Sequence, residues 1–169
     1  MNISKLILGT GCYSNIKSGN TVSITGDGGN AWGYFGPSYK KLAPRLVTYE
    51  KYAEGLAILE QIKQTGTKEE YLYYRNLIED EYIRSYYELR LQNLNTDELL
   101  NILYERFGNN IILLCHEPVD EFCHRRLVAD FLEIKYGIYI PEIITYTNNF
   151  DFVKTNPIRY KQKLLKIMK

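Results

Sequence analysis

Residues 111–125 read Ile111-Ile112-Leu113-Leu114-Cys115-His116-Glu117-Pro118-Val119-Asp120-Glu121-Phe122-Cys123-His124-Arg125. The run from Ile111 to Cys115 is wholly apolar and stands between the turn formers Asn109-Asn110 and Pro118, the pattern of a central strand buried on both faces of a parallel sheet. His116 to Phe122 read as a connecting loop. Cys123 to Tyr136 read as a helix with Leu127, Val128, Phe131 and Leu132 on its inward face and Gly137 as its stop. Strand, loop and helix make half of a right-handed βαβ unit, which sets the fold class as α/β.

Outward from this unit the remaining elements fall into place. Ile3 to Gly9 reads as a buried strand running into the polar turn Thr10-Gly11-Cys12-Tyr13-Ser14-Asn15, and Thr21 to Thr25 as a second short strand. The segment from Gly26-Asp27-Gly28-Gly29 through Gly33 to Gly36-Pro37 is dense in turn formers and carries the single tryptophan, Trp32, among Tyr34, Phe35 and Tyr39. It reads either as a lid or pocket wall, or as a surface loop pinned by buried rings. The middle of the chain is helical by period: Glu50 to Gln64, then Lys68 to Gln92 after a Thr65-Gly66-Thr67 break. Tyr74, Ile78, Tyr82 and Tyr86 recur four apart on one face of the second helix, a packing stripe before a stacking platform. Thr96 is the expected N-cap of a third helix ending at Gly108. Ile138 to Tyr146 reads as a strand that Pro141 consigns to an edge. Asn156-Pro157 opens a terminal helix with five basic residues from Arg159 onward, a solvated face or a contact for a phosphate or partner. With no repeat and no linker, residues 1–169 read as one domain, a Rossmann-like three-layer sandwich with a mainly parallel central sheet and a helical middle segment.

Composition narrows the classes of function. Forty-five per cent apolar and 24% charged residues over 169 positions suit a globular domain and exclude a disordered tail or a disulfide miniprotein. Twenty-one Lys and Arg balance twenty Asp and Glu, so no global field steers the chain to nucleic acid, and any anion site must be local. No apolar run reaches the roughly 18 residues that span a bilayer, so no membrane partner is expected. Three cysteines, an odd number with no secretory signal ahead of them, predict free thiols in a reducing, cytoplasmic compartment. Abundant Lys, Asn, Ile and Tyr point to an AT-rich genome, bacterial or viral.

The chemistry concentrates between Cys115 and Arg125. Two cysteines, both histidines, an arginine and a glutamate lie within eleven residues across the strand-to-helix junction. Beyond the carboxyl end of a parallel strand, loops converge and a helix N-terminus offers free N–H groups that lower a thiol pKa and attract anions. Cys123, His124 and Arg125 thus form a candidate anion or thiolate site, with Arg125 as clamp and Glu117 as base or orienting carboxylate. The competing readings are a core cysteine at Cys115, a capping His124 and an Arg125 bridged to a loop carboxylate. A phosphatase loop is disfavoured, since nine residues separate Cys115 from Arg125 and Arg125 follows Cys123 by only two. A zinc site of Cys115, His116, Cys123 and His124 is disfavoured because adjacent Cys-His pairs are expected to point apart, so neither metal nor cofactor is assigned. The glycines at 26–29 lack the context of a dinucleotide fingerprint.

The run Ile112-Leu113-Leu114-Cys115-His116-Glu117-Pro118, followed by Glu121-Phe122-Cys123-His124-Arg125 and Leu127-Val128-Ala129, resembles the signature of the domain of unknown function 488 family, an apolar strand ending Cys-x-Glu and then Cys-His-Arg at a helix start. Thr10 to Asn15 resembles that family's N-terminal threonine and aromatic turn, with Cys12 where an aromatic is usual. Val22 to Thr25 resembles its second strand and Lys40-Lys41-Leu42-Ala43-Pro44 an element of one branch. The resemblance implies a Rossmann-like fold and a site at Cys115, Glu117, Cys123, His124 and Arg125, without a reaction. Thr10, Tyr13, Trp32 and Arg125 are the expected ligand-binding residues. The leading functional expectation is an enzyme acting on a small phosphate-bearing or nucleotide-like ligand. A non-catalytic nucleotide- or anion-binding module and a protein-interaction domain using the tyrosine-rich helices are the alternatives.

Overall fold

The computed structural model describes residues 2–146, 151–154 and 156–169. In chain order the elements are α1 (Ile3–Leu6), β1 (Ile7–Cys12), β2 (Asn20–Ser23), α2 (Leu46–Thr65), α3 (Lys68–Tyr86), α4 (Thr96–Phe107), β3 (Ile111–Cys115), α5 (His124–Tyr136), β4 (Glu142–Tyr146), β5 (Asp151–Lys154) and α6 (Ile158–Met168). The strands form one sheet in the order β2-β3-β1-β4-β5, parallel from β2 to β4 and antiparallel only at β5. The architecture is the expected Rossmann-like α/β arrangement.

Ile111 to Cys115 is completely buried, as an apolar run between two parallel neighbours must be. Side-chain alternation sends Ile111 and Leu113 to one face and Ile112 and Leu114 to the other. The first face meets the main core, built with Leu127, Val128 and Phe131 of α5, Leu99, Leu100 and Leu103 of α4, and Tyr82 and Tyr86 of α3. The second carries a thinner layer of Tyr13, Ile16 and Ile143 with Leu8 and Tyr34. The thinness has a chain-length cause. Residues 13–19 return the backbone from the end of β1 to the start of β2, fewer than the dozen or so a helical crossover requires, so a short segment of turns and bends covers this face.

Several boundaries differ from expectation. The apolar start folds as a turn of helix over Ile3–Leu6, and the strand lies later, through Gly9, Thr10 and Gly11. Small residues suit this position: a Cβ on Gly9 would stand 2.7 Å from the Pro141 carbonyl oxygen and from Ile143 Cγ1. β4 is internal, because Pro141 precedes the strand and contributes only its carbonyl, which accepts from Thr10 N at 3.0 Å. The cap of α4 is Asn95, whose side chain accepts from Glu98 N, and Pro157 caps α6. The tyrosine stripe divides: Tyr82 and Tyr86 are buried, Ile78 is half-buried and Tyr74 is exposed. Of the basic residues on α6, Arg159, Lys161 and Lys163 pair with Glu79, Glu133 and Asp80, so they tie α6 to α3 and α5. No helix of the described residues is long and apolar enough to cross a membrane.

Candidate functional site

Parallel pairing brings the carboxyl ends of three strands level, with Cys12 beside Cys115 and Ser23 beside Leu114. The loop after β3 then turns so that α5 starts directly above that edge. Cys123 caps α5 in extended conformation (φ −153°, ψ 147°), and the switch to helix at His124 brings its ring back over the Cys123 side chain. His124 Nδ1 lies 3.7 Å from Cys123 Sγ and 3.8 Å from Cys115 Sγ. Glu117 enters from the loop, its Oε2 2.7 Å from Cys115 Sγ and 2.8 Å from Cys123 Sγ. Four potential ligand atoms, from Cys115, Glu117, Cys123 and His124, thus lie within 4.8 Å of one another.

His124 is held from behind. Its Nε2 is 2.9 Å from the Ile24 carbonyl oxygen, and since that oxygen can only accept, Nε2 carries a proton and Nδ1 is the atom turned to the sulfurs. Tyr86 packs edge-on against the ring and donates its own hydroxyl to the Leu42 carbonyl. The buried end of the tyrosine stripe therefore backs the site.

Arg125 does not face a ligand. Its side chain has no exposed surface, and four of its five N–H groups are taken: Nε and Nη2 by the Glu142 carboxylate, Nη1 by the Glu117 carbonyl and Nη2 also by the Pro118 carbonyl. The clamp expected at Arg125 instead grips its own loop and fixes the backbone that carries Glu117. Thr10 is also sealed and donates to Glu142 Oε2, so it supports Arg125 rather than lining a cleft.

A cleft opens on the far side of Glu117. Two adjoining cavities, of about 500 and about 480 Å³, share Trp32, Tyr49, Tyr52, His116 and Glu117 in their walls. Trp32, 57% exposed, stacks flat on His116 with ring centroids 4.7 Å apart and planes 4° from parallel. The glycine-rich loop that presents Trp32 is both wall and pinned loop. Asp27 accepts from Thr25 Oγ1, Gly29 N and Ala31 N, and Tyr34 stacks on Tyr13 while donating to Thr21 O. Gly29 needs its lack of a side chain twice, for φ +97° and because a Cβ would meet Tyr13 Oη at 2.8 Å. Tyr13 lines the first cavity while its hydroxyl bonds Ser23 and Thr25. Lys17, held on the Tyr13 carbonyl at 2.7 Å, stands in the wall of the first cavity.

Burial sets the electrostatics. It raises the Cys115 thiol and pushes the Glu117 carboxyl up to about 8, with Cys123 adding to the latter. Against its own burial, Cys123 is held well below the ordinary thiol value by the Cys115 hydrogen bond and by Arg125 and His124. His124 is raised because Cys123 outweighs the cost of burying its charge, whereas half-burial lowers His116.

The structure brings Cys115, Glu117, Cys123 and His124 together, places Tyr13 and Trp32 on the adjoining cleft, and sets Arg125 and Thr10 behind them. The expectation that adjacent Cys and His point apart fails at Cys123-His124, because the strand-to-helix change falls between them. The convergent set contains Glu117 in place of His116, which stacks on Trp32 at the rim with its Nδ1 3.8 Å from Cys115 Sγ and its Nε2 3.2 Å from Glu117 Oε1. Sequence reading missed Glu142, Tyr49, Tyr52 and Lys17. Glu142 alone carried a signal, a carboxylate entering an apolar strand directly after Pro141. No family model, no curated protein and no solved structure matches this chain.

Proposed function

We propose that this chain is an enzyme acting on a small nucleotide-like molecule whose flat ring enters the cleft beside Trp32, with Glu117 as the proton-transferring group. One observation carries the reading: Glu117 touches both buried sulfurs on one side and forms the wall of both cavities on the other. It is the member of the buried cluster that faces both cavities, His124 joining it at the second. Aromatic walls from Trp32, Tyr49 and Tyr52 offer π-faces to a planar ring. A phosphate on such a ligand finds Lys17 at the first cavity, the role Arg125 is too buried to take. The Cys-x-Glu and Cys-His-Arg resemblance supports the same residues. Free thiols at such a site fit the reducing conditions of a cytoplasm.

The rival reading, a binding module, draws support from the burial of both thiols, which keeps these nucleophiles from direct contact with a ligand. The test is a panel of nucleobases, nucleosides and nucleotides scored by quenching of Trp32 fluorescence and by product analysis. Binding with turnover in the unmodified chain, and binding without turnover in Glu117→Gln, supports the enzyme. Binding without turnover in both favours the module, and no binding removes both readings.

A further inference from the structure

We propose that Cys115 Sγ, Cys123 Sγ and His124 Nδ1 hold one zinc-class divalent cation, with the fourth position on the side of Glu117. The spacing supports this set. Zinc-to-sulfur and zinc-to-nitrogen bonds of about 2.3 and 2.05 Å at a tetrahedral angle place sulfur and nitrogen about 3.6 Å apart. His124 Nδ1 stands 3.7 and 3.8 Å from the two sulfurs, so both sulfur-to-nitrogen edges already have nearly this length, and the two sulfurs lie within 4.8 Å of each other. Glu117 Oε2, at 2.7 and 2.8 Å from the sulfurs, is closer than a fellow ligand would be. It stands on the side of the fourth position and draws back from the sulfurs when the ion enters.

The supporting shell is present. The proton on His124 Nε2 goes to the Ile24 carbonyl, the arrangement that orients a metal-bound imidazole and leaves its other nitrogen free to ligate. Arg125 grips the Glu117 and Pro118 carbonyls and holds the loop at a set distance from α5. Two sulfurs and an imidazole select zinc over magnesium or calcium, which take oxygen ligands. Glu117 and His124 also line the second cavity, so the ion has a path from solvent.

Ion binding stands on this geometry alone; its use in chemistry rests on the cleft being an active site. There, a water on the fourth position would give a proton to Glu117, and the resulting hydroxide would add to an electrophilic carbon of the ligand. Glu117 would then return the proton to the departing group.

The experiment uses the full chain, reduced and treated with chelator, titrated with zinc against a chromophoric competitor and separately with cobalt(II). The expected result is one equivalent of metal, a cobalt spectrum with thiolate charge-transfer bands and tetrahedral d–d bands, and retention of both in Glu117→Gln and His116→Ala. Cys123→Ser and His124→Ala should weaken zinc binding by more than the roughly hundredfold typical of losing a supporting partner. Folded unmodified chain that takes up no zinc, or cobalt bound without thiolate bands, overturns the proposal whatever the variants do. Equal affinity in folded Cys123→Ser also overturns it. Nucleoside binding at Trp32 is read separately, so a failure here is distinct from a failure of the enzyme reading.

Discussion

The guanidinium of Arg125 and the carboxylate of Glu142 meet at 2.7 Å with neither side chain exposed to solvent. The contact joins the start of α5 to the first residue of β4, and Thr10 of β1 donates to the same carboxylate. Arg125 also donates to the Glu117 and Pro118 carbonyls, so the buried pair is a structural joint on which the position of Glu117 depends.

Removing one partner strands the other. Arg125→Met should cost about 3–5 kcal/mol in urea unfolding, and a double change of Arg125→Met with Glu142→Leu should recover a large part of it. An Arg125→Met protein with an unchanged unfolding midpoint would contradict the role given to this pair.

Trp32 is a surface residue energetically and a cleft residue functionally. Trp32→Ala should leave stability within about 0.5 kcal/mol, because more than half of the residue is exposed and its ring packs on the surface residue His116 rather than in the core. Losing one stacking face should weaken a ring-bearing ligand by about 1–3 kcal/mol, roughly fivefold to more than a hundredfold in Kd. Calorimetric titration measures it, and an unchanged affinity would place the ligand elsewhere.

Asp130, later on α5 than the cluster, gives a pH dependence of its own. Burial, with Glu133 next in importance and Arg126 and Lys161 opposing, pushes its carboxyl from 3.8 up to about 7. The folded chain therefore keeps a proton that the unfolded chain has already lost. Its contribution is neutral below about pH 4, turns progressively destabilising between about 4 and 7, and is constant above. Asp130→Asn should match the unmodified chain in stability trend at low pH and gain on it through that window. Thermal melts across pH 4 to 8 test the sign: a difference that shrinks with rising pH refutes it.

Gly9→Ala tests the packing of β4 on β1. The added Cβ meets a backbone oxygen at 2.7 Å, which cannot rotate away, so the change should cost about 1–3 kcal/mol. Ala at Gly26, where a Cβ meets nothing within 4 Å, is the matched control.

Much of this was legible from residue types alone. The limits of β3 and α5 followed from an uninterrupted apolar run and a helical period closed by Gly137, because burial on both faces and a left-handed cap leave few other readings. The first strand was misplaced because its central residues are Gly9, Thr10 and Gly11. The glycines serve close approach, Gly9 to the start of β4 and Gly11 to Ile16, a tertiary demand with no local pattern. At the site, density of Cys, His and Glu marked the right loop. The direction of Arg125 was hidden, since it depends on Glu142, seventeen residues on, and on a parallel pairing that no short window contains. Tyr49 and Tyr52 likewise reach the cleft only through the docking of α2.

The most direct test of the account is turnover by Glu117→Gln. Reduced chain and variant are incubated with the same nucleobase, nucleoside and nucleotide panel, and products are followed by mass spectrometry. The account predicts that one panel member is converted by the unmodified chain and is bound by the variant with similar affinity, with conversion slowed by about 10² to 10⁴. Conversion by Glu117→Gln at the unmodified rate would contradict it.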